Sequence, residues 1–163
     1  MSVPASADRR DYEPARVRRM TLGAIFLILA QSGVGMATNL YVTIPDHHSG
    51  AHPSDYFTGS ARSIGWAVSH GAIVLAIHVV LGFALVVLVI QISFRVVALR
   101  RRAVNLWTAL AALFVIGAGF NGASFLDFGN NVSSLIMSLL AFASVASYGV
   151  VLFLLSDRPS IQV

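Results

Sequence analysis

The chain has 163 residues, of which 56% are hydrophobic and only 11% are charged. A soluble domain of this length normally carries about 25% charged residues, so lipid is expected to cover much of the surface. There is no cysteine, which excludes disulfides, thiol catalysis and cysteine-held metal clusters. The net charge of +4 includes eleven basic residues, all of them arginine. These arginines flank apolar segments instead of forming an aromatic-interleaved face, so nucleic-acid binding is not predicted.

Four apolar segments follow one another along the chain, and each is long enough to cross a hydrocarbon core of ~30 Å as a helix. Helices are required because backbone polar groups must be hydrogen-bonded within lipid. The sequence therefore predicts an all-α, four-transmembrane-helix bundle, a single membrane domain over 20–155. A disordered basic tail is predicted over 1–19 and a second tail over 156–163. The predicted spans are 20–44, 66–94, 104–126 and 132–155, and the longest connection is a polar loop over 45–65.

The arginines predict the orientation in the membrane. Five precede the first span, four separate the second and third spans, and one follows the fourth. The 45–65 loop holds only Arg62. Because positive residues favour the cytoplasmic side, both termini are predicted to be cytoplasmic (N-in/C-in) in the cell membrane. The 45–65 loop is then outside, and the length of the first span favours an uncleaved anchor over a signal peptide.

All five histidines lie between residues 47 and 78. Three of them are in the predicted loop with acidic residues close by, and imidazole and carboxylate are ligands for zinc, copper or nickel. The loop is interpreted mainly as a solvated connector, with a metal site as the alternative. That site would use His47, His48, His52, Asp46 and Asp55.

The other two histidines, His70 and His78, fall in the predicted second span. A b-type haem in a four-helix membrane bundle usually takes axial histidines from two helices. The segment from His70 to Gly82 resembles histidine-bearing spans of small membrane cytochromes, and the resemblance implies haem b on His70 or His78. Because no other span supplies a histidine, the second ligand would be Met36 or Met137, or would come from a homodimer.

Polar side chains in the other spans are the candidate partners of these histidines. Their preferred interpretation is hydrogen bonding between helices, worth about 0.6 kcal/mol per contact on average. The alternative is a pocket for a polar ligand, a proton or a quinone headgroup. The residues of that pocket are Gln31, Asn39, Asn121 and Asp127.

No nucleophile–base arrangement stands out in the sequence. The leading interpretation is therefore a non-catalytic membrane protein, an accessory or structural component in the lipid bilayer, within a homo-oligomer or a larger membrane complex. The first alternative is a haem-binding electron-transfer protein. The second is metal-ion or proton-coupled transport or sensing through the histidine loop.

Overall fold

The computed structural model describes residues 5–156, with side chains described from residue 14 onward. The described residues form helices and connections, without strands. The predicted tail over 156–163 lies outside the described residues from 157 onward. The helices are α1 (Ala5–Tyr41), α2 (Tyr56–Ser69), α3 (Ile73–Ala98), α4 (Arg102–Phe128) and α5 (Asn131–Ser156).

Four of the five helices are long and apolar enough to cross a membrane: α1 from Pro14 onward, α3, α4 and α5. The predicted all-α fold with four apolar helices is confirmed at this level. Only about a fifth of each apolar stretch is buried inside the molecule, between 17% and 22%. Large apolar side chains such as Phe26, Phe94 and Phe153 are more than 60% exposed. A lipid environment accounts for so much exposed apolar surface.

The four long helices form a ring. α1 contacts α3 and α5, and α4 contacts the same two helices, so α1 lies diagonally opposite α4 and α3 opposite α5. The connections α3–α4 and α4–α5 are a few residues long, which makes those neighbours antiparallel. Small and β-branched side chains fill the centre, around a fully buried Tyr148. Arginines of α1, of the end of α3 and of the α3–α4 connection share one end of the bundle, which we call the arginine end.

The predicted second span over 66–94 is wrong in its bounds, since the chain turns at residues 70–72 and α3 begins only at Ile73. The backbone N–H groups of His70 and Gly71 both donate to the carbonyl of Trp66, which closes α2. At Gly71 a Cβ atom would lie 2.5 Å from the carbonyl oxygen of Ala67, so the turn needs glycine there. Hydropathy is continuous across this turn, and therefore it could not separate the two helices.

Two further expectations differ from the structure. Residues 5–19, predicted as a disordered tail, belong to α1, which runs without interruption to Tyr41. Alanine, arginine and glutamate favour the extension of a helix that is already nucleated in the apolar span, whereas Pro14 within it removes one backbone donor and opposes the extension. The predicted loop over 45–65 contains α2 from Tyr56 onward, so the irregular part is only 42–55. The predicted spans 104–126 and 132–155 agree with α4 and α5 to within two residues at each end, whereas α1 begins well before residue 20 and ends three residues before residue 44.

Candidate functional site: the cap and its cleft

Residues 42–69, which we call the cap, cover the end of the bundle opposite the arginine end. The cap consists of the irregular segment 42–55 and of α2, and α2 packs against both α3 and α4. The face of α2 toward the bundle is made of the small residues Gly59, Ser60, Ser63 and Ala67, all of which are buried. Small side chains allow α2 to approach the ends of the spanning helices closely.

The cap is bonded to the last turns of α4. The ring Nε2 of His48 lies 3.0 Å from the carbonyl oxygen of Leu126, and the backbone N–H of His52 donates to the carbonyl of Asp127 at 2.9 Å. The hydroxyl of Tyr56 donates to the carbonyl of Phe120 at 2.8 Å. The carbonyls of Leu126 and Asp127 are among the last four of α4 and have no donor within the helix, so the cap supplies donors that they lack.

Asp127 is the carboxylate at the contact between the cap and the end of α4, which we call the joint. The sequence predicts it in a polar pocket with Gln31, Asn39 and Asn121, yet it is only 1% exposed and lies beneath α2. Its Oδ2 accepts a hydrogen bond of 2.6 Å from the hydroxyl of Ser60. Its Oδ1 has no hydrogen-bond donor among the described residues, and neither does the buried hydroxyl of Ser63 have a partner there. A buried carboxyl group with a single donor makes this joint sensitive to any change in its surroundings.

His48 connects the end of α4 to α2 within the cap. Both of its ring nitrogens face carbonyl oxygens: Nε2 faces Leu126, and Nδ1 lies 3.1 Å from the carbonyl of Ser49. Carbonyl oxygens only accept, so both contacts are hydrogen bonds only when the ring carries two protons. The ring also stacks on the indole of Trp66, with centroids 4.5 Å apart and planes 20° apart. Trp66 is therefore held from behind by a side chain that is itself fixed to α4.

α2 begins with an N-cap residue, Asp55, whose side chain bonds to the first turn of the helix. Asp55 has an extended backbone conformation, and its carboxylate accepts a hydrogen bond of 2.8 Å from the backbone N–H of Thr58. Aspartate is a preferred residue at this position because it satisfies a free helix N–H group. Hydrogen bonds from Thr58, first from its side chain and then from its backbone, hold the pKa of Asp55 below its ordinary value.

An open cleft of about 560 Å³ lies on the exposed side of the cap. Its side chains carry a guanidinium, an imidazole, an indole and two hydroxyls, and no carboxylate lines it. A second cleft, of about 330 Å³, lies beside it, shares Arg62 and contains Asp55. The residues that line the larger cleft are Ser49, Arg62, Gly65, Trp66, Ser69 and His70.

The hydrogen bonds inside the cleft leave one nitrogen of His70 available. The hydroxyl of Ser69 donates to the carbonyl of Gly65 at 2.7 Å, and it lies 2.7 Å from Nδ1 of His70. A hydroxyl has one proton to donate, so Nδ1 of His70 must be the donor to Ser69. Nε2 of His70 makes no hydrogen bond among the described residues, and Arg62 makes no ion pair with any of them.

Within the bundle, Gln31 of α1 and His78 of α3 form a polar pair. The amide nitrogen of Gln31 donates to the carbonyl of His78 at 2.9 Å and lies 3.3 Å from Nε2 of its ring. Gly35 makes room for the ring, because a Cβ atom there would lie 2.8 Å from its Cε1 atom. Because α3 begins at Ile73, His78 lies only about 8 Å from the end of that helix.

The other residues of the predicted polar pocket do not join this pair. Asn39 is exposed on α1, and the side chain of Asn121 donates to the carbonyl of Gly117 in its own helix at 2.9 Å. Asp127 belongs to the joint under α2. The four residues predicted to line one pocket are therefore found in separate surroundings.

The residues proposed to hold haem do not converge. His70 is exposed on the cap, outside the apolar helices, because the chain turns there. Met36 is 67% exposed and points away from the bundle. Met137 lies on α5, next to Gly122 of α4, and α5 does not contact the helix that carries His78. These positions do not provide two axial ligands for one iron, and haem binding is not supported.

The residues proposed to hold a metal ion are likewise separated. His48 faces inward to α4, and the carboxylate of Asp55 is hydrogen-bonded as the N-cap of α2. His47, His52 and Asp46 are exposed. Within residues 14–156, whose side chains the structure describes, no three histidine, aspartate or glutamate side chains come together in a way that could hold a metal ion.

The residues that build the cleft and the joint were mostly not predicted. Arg62 entered only the predicted orientation, and Trp66, Ser60 and Ser63 were not part of any predicted site. One signal was present, since Ser60, Ser63 and Ala67 repeat at helical spacing and so indicate a packed face. Comparisons with protein-family models, curated proteins and solved structures found no match to this chain.

Proposed function

We propose that this chain is a non-catalytic, multi-pass protein of the cell membrane whose cap, on the outer side, binds the headgroup of an anionic phospholipid through its phosphate. The observation that carries the proposal is the cleft that contains Arg62, Trp66 and His70 and no carboxylate. The guanidinium of Arg62, the indole N–H of Trp66 and the hydroxyl of Ser49 can donate hydrogen bonds, which suits a ligand that offers only acceptors. An accessory role in the membrane is consistent with such a binding site.

The position of the cleft favours a lipid as the source of the phosphate. His70 is three residues from Ile73, where α3 begins, and the side chain of Ile73 is 76% exposed. Val68, beside the cleft on α2, is 48% exposed. The donors of the cleft thus lie next to apolar side chains at the end of a spanning helix, where headgroups meet acyl chains. A bound phospholipid would place its phosphate in the cleft and its chains along α3.

Fluorescence of Trp66 tests the proposal directly. The chain has two tryptophans, so Trp107→Phe leaves Trp66 as the only emitter. In nanodiscs, brominated anionic phospholipid should quench Trp66 more strongly than brominated zwitterionic phospholipid. Arg62→Gln should weaken this preference about fivefold, corresponding to about 1 kcal/mol for one arginine near a lipid surface. Arg102→Gln, which removes a charge at the arginine end, is the matched control and should not change it.

A steric variant separates binding from folding. Gly65 lies in the cleft, and a Cβ atom there would meet nothing within 4 Å. Gly65→Leu should therefore fill the cleft, leave α2 intact and abolish the preference for anionic over zwitterionic phospholipid. Equal quenching by both lipids, or a preference that survives both cleft variants, would refute the site. If inorganic phosphate displaced the quencher at millimolar concentration, the cleft would instead be a site for soluble anions.

The orientation is part of the proposal and has its own test. The chain is free of cysteine, so single cysteines can be introduced at exposed polar positions without other changes. Ser54→Cys in the cap should react with a membrane-impermeant maleimide on intact cells. Ser156→Cys, at the end of α5, should react only after the cells are opened. The reverse pattern would refute the outward position of the cap.

A further inference from the structure

Gln91 is a polar residue on the outward face of α3. Its side chain is exposed, and it makes no hydrogen bond within the described residues. At about 100° per residue, Gln91 points about 130° away from the mean direction of the buried residues of α3. The buried residues on the helical turns next to Gln91 are Leu85, Val89, Ile92 and Val96. Gln91 thus faces away from the bundle, toward the space that lipid would occupy.

The depth of Gln91 places it within the hydrocarbon. It lies seven residues before Ala98, the last residue of α3, which corresponds to about 10 Å along the helix. α3 is about 39 Å long and the hydrocarbon core is ~30 Å thick, so a centred helix has about 4.5 Å beyond the core at each end. The Gln91 backbone is then about 6 Å inside the boundary.

An amide at this position differs from the other polar residues of α3. The hydroxyl of Ser93 donates to the carbonyl of Val89 in the same helix, and His78 is paired with Gln31. Gln91 has neither kind of partner. Lipid chains offer no donor or acceptor, so a lipid-facing amide is costly unless another protein surface satisfies it.

A second copy of this chain provides a complementary partner. A glutamine amide contains both donors and an acceptor, so two of them can bond to each other reciprocally. In a two-fold dimer whose axis lies along the membrane normal, the two Gln91 side chains are at the same depth. The exposed Ala84 and Ala98 lie one heptad before and after Gln91 on the same stripe, and small residues allow two helices to approach.

We propose that α3 mediates a parallel homodimer in which the two Gln91 side chains hydrogen-bond across the two-fold axis. The interface follows the outward stripe of Ala84, Gln91 and Ala98. It runs from the middle of α3 to the arginine end, apart from the cleft of the cap. Phospholipid binding at the cap and dimerisation through α3 are therefore independent and can fail separately.

Cross-linking in liposomes tests the position of the interface. Ala84→Cys places the only cysteine of the chain on the proposed stripe, and oxidation should produce a disulfide-linked dimer. Gly119→Cys is the matched control, because residue 119 is exposed on α4 with open space around it. We expect a dimer from Ala84→Cys and little from Gly119→Cys. Equal cross-linking at both positions would indicate random collision and would overturn the proposal.

Energy transfer between labelled copies, measured as the protein is diluted in lipid, tests the role of the amide. Gln91→Leu should weaken the dimer about tenfold, the scale expected for a hydrogen bond between helices. Gln91→Asn, which keeps an amide, should retain most of the affinity. Ile90→Leu changes the adjacent exposed residue at constant volume and should have no effect. An unchanged dimer in Gln91→Leu, or a wild-type chain that stays monomeric at every dilution, would overturn the proposal.

Discussion

The irregular segment of the cap depends on Gly50, and replacing this residue is the sharpest test of how the cap is packed. Gly50 has φ of +100°, a conformation that side chains with a Cβ atom rarely adopt. A Cβ atom there would also lie 2.5 Å from the backbone nitrogen of Ser63 and 2.6 Å from the carbonyl oxygen of Gly59. Both atoms belong to α2, whose backbone cannot shift without breaking its contact with α4.

The expected cost of Gly50→Ala is the sum of two effects. The left-handed conformation costs about 1–2 kcal/mol for a residue with a Cβ atom. Overpacking against a fixed backbone typically costs about 1–3 kcal/mol more. We therefore expect the free energy of cap opening to fall by about 2–5 kcal/mol.

Two other glycines provide controls that separate these effects. Gly129, after α4, has φ of +63° but open space around it, so Gly129→Ala should cost only about 1–2 kcal/mol. Gly65 lies within α2 with open space, so Gly65→Ala should stabilise the helix by about 0.5–1 kcal/mol. The loss of stability on substitution by alanine should therefore be largest at Gly50, where steric clash and backbone strain are both present. It should be smaller at Gly129, where only strain is present, and absent at Gly65, where neither is.

Denaturant titration of Trp66 emission in a Trp107→Phe background measures cap opening. Trp66 stacks on His48 in the closed cap, so its emission should change when the segment that carries His48 separates from α2. If Gly50→Ala and Gly129→Ala shifted the midpoint equally, the proposed contact between Gly50 and α2 would be refuted. A stable Gly50→Ala cap would refute both parts of the reasoning.

Three further predictions follow from other parts of the structure. A double-mutant cycle of Gln31→Leu and His78→Leu, measured by unfolding in mild detergent, should give a coupling of about 0.6–2 kcal/mol, and additive effects would contradict their hydrogen bond. Asp55→Ala should destabilise α2 near neutral pH, where the carboxylate is ionised. Because the pKa of Asp55 is lowered on folding, its contribution to the stability of α2 is present above the ordinary value of 3.8 and is lost as the pH falls through the folded-state pKa. Asp55→Asn should show no such pH dependence. Helix content measured against pH tests both expectations. Protein purified from haem-replete cells should show no Soret band, and a Soret band that disappears in His78→Ala would contradict the separation of the haem-ligand candidates.

The architecture of the bundle could be predicted because hydropathy is a local property. The third and fourth spans are bounded by arginine, glycine and asparagine, which stand out against apolar sequence, and their predicted ends agree closely with α4 and α5. The turn at Gly71 could not be predicted in this way. The residues on both sides are apolar or small, and the requirement for glycine arises from a contact with the carbonyl of Ala67 that exists only once the turn has formed.

The site could be predicted only in part, because its residues are brought together by tertiary contacts. The histidine-rich segment predicts a site at the end of the molecule that carries the cap. The role of His48 depends on carbonyl groups of Leu126 and Ser49, and carbonyl positions leave no trace in the amino-acid pattern. Asp127 belongs to the predicted polar pocket, yet its burial follows from Ser60 and α2, and the sequence predicts a loop where α2 begins.

The two histidine environments differ in how they are satisfied, and this difference favours the cap as the place of binding. His78 is turned toward Gln31 and closely packed against Gly35, so its ring stabilises the contact between α1 and α3. In the cap, Trp66 stacks on His48 and also lines the cleft. A ligand in the cleft therefore meets an aromatic surface that is already ordered, and binding costs less conformational entropy than it would on a free side chain. The buried polar pair holds the bundle together, while the polar groups of the cap are supported from inside and remain accessible from outside.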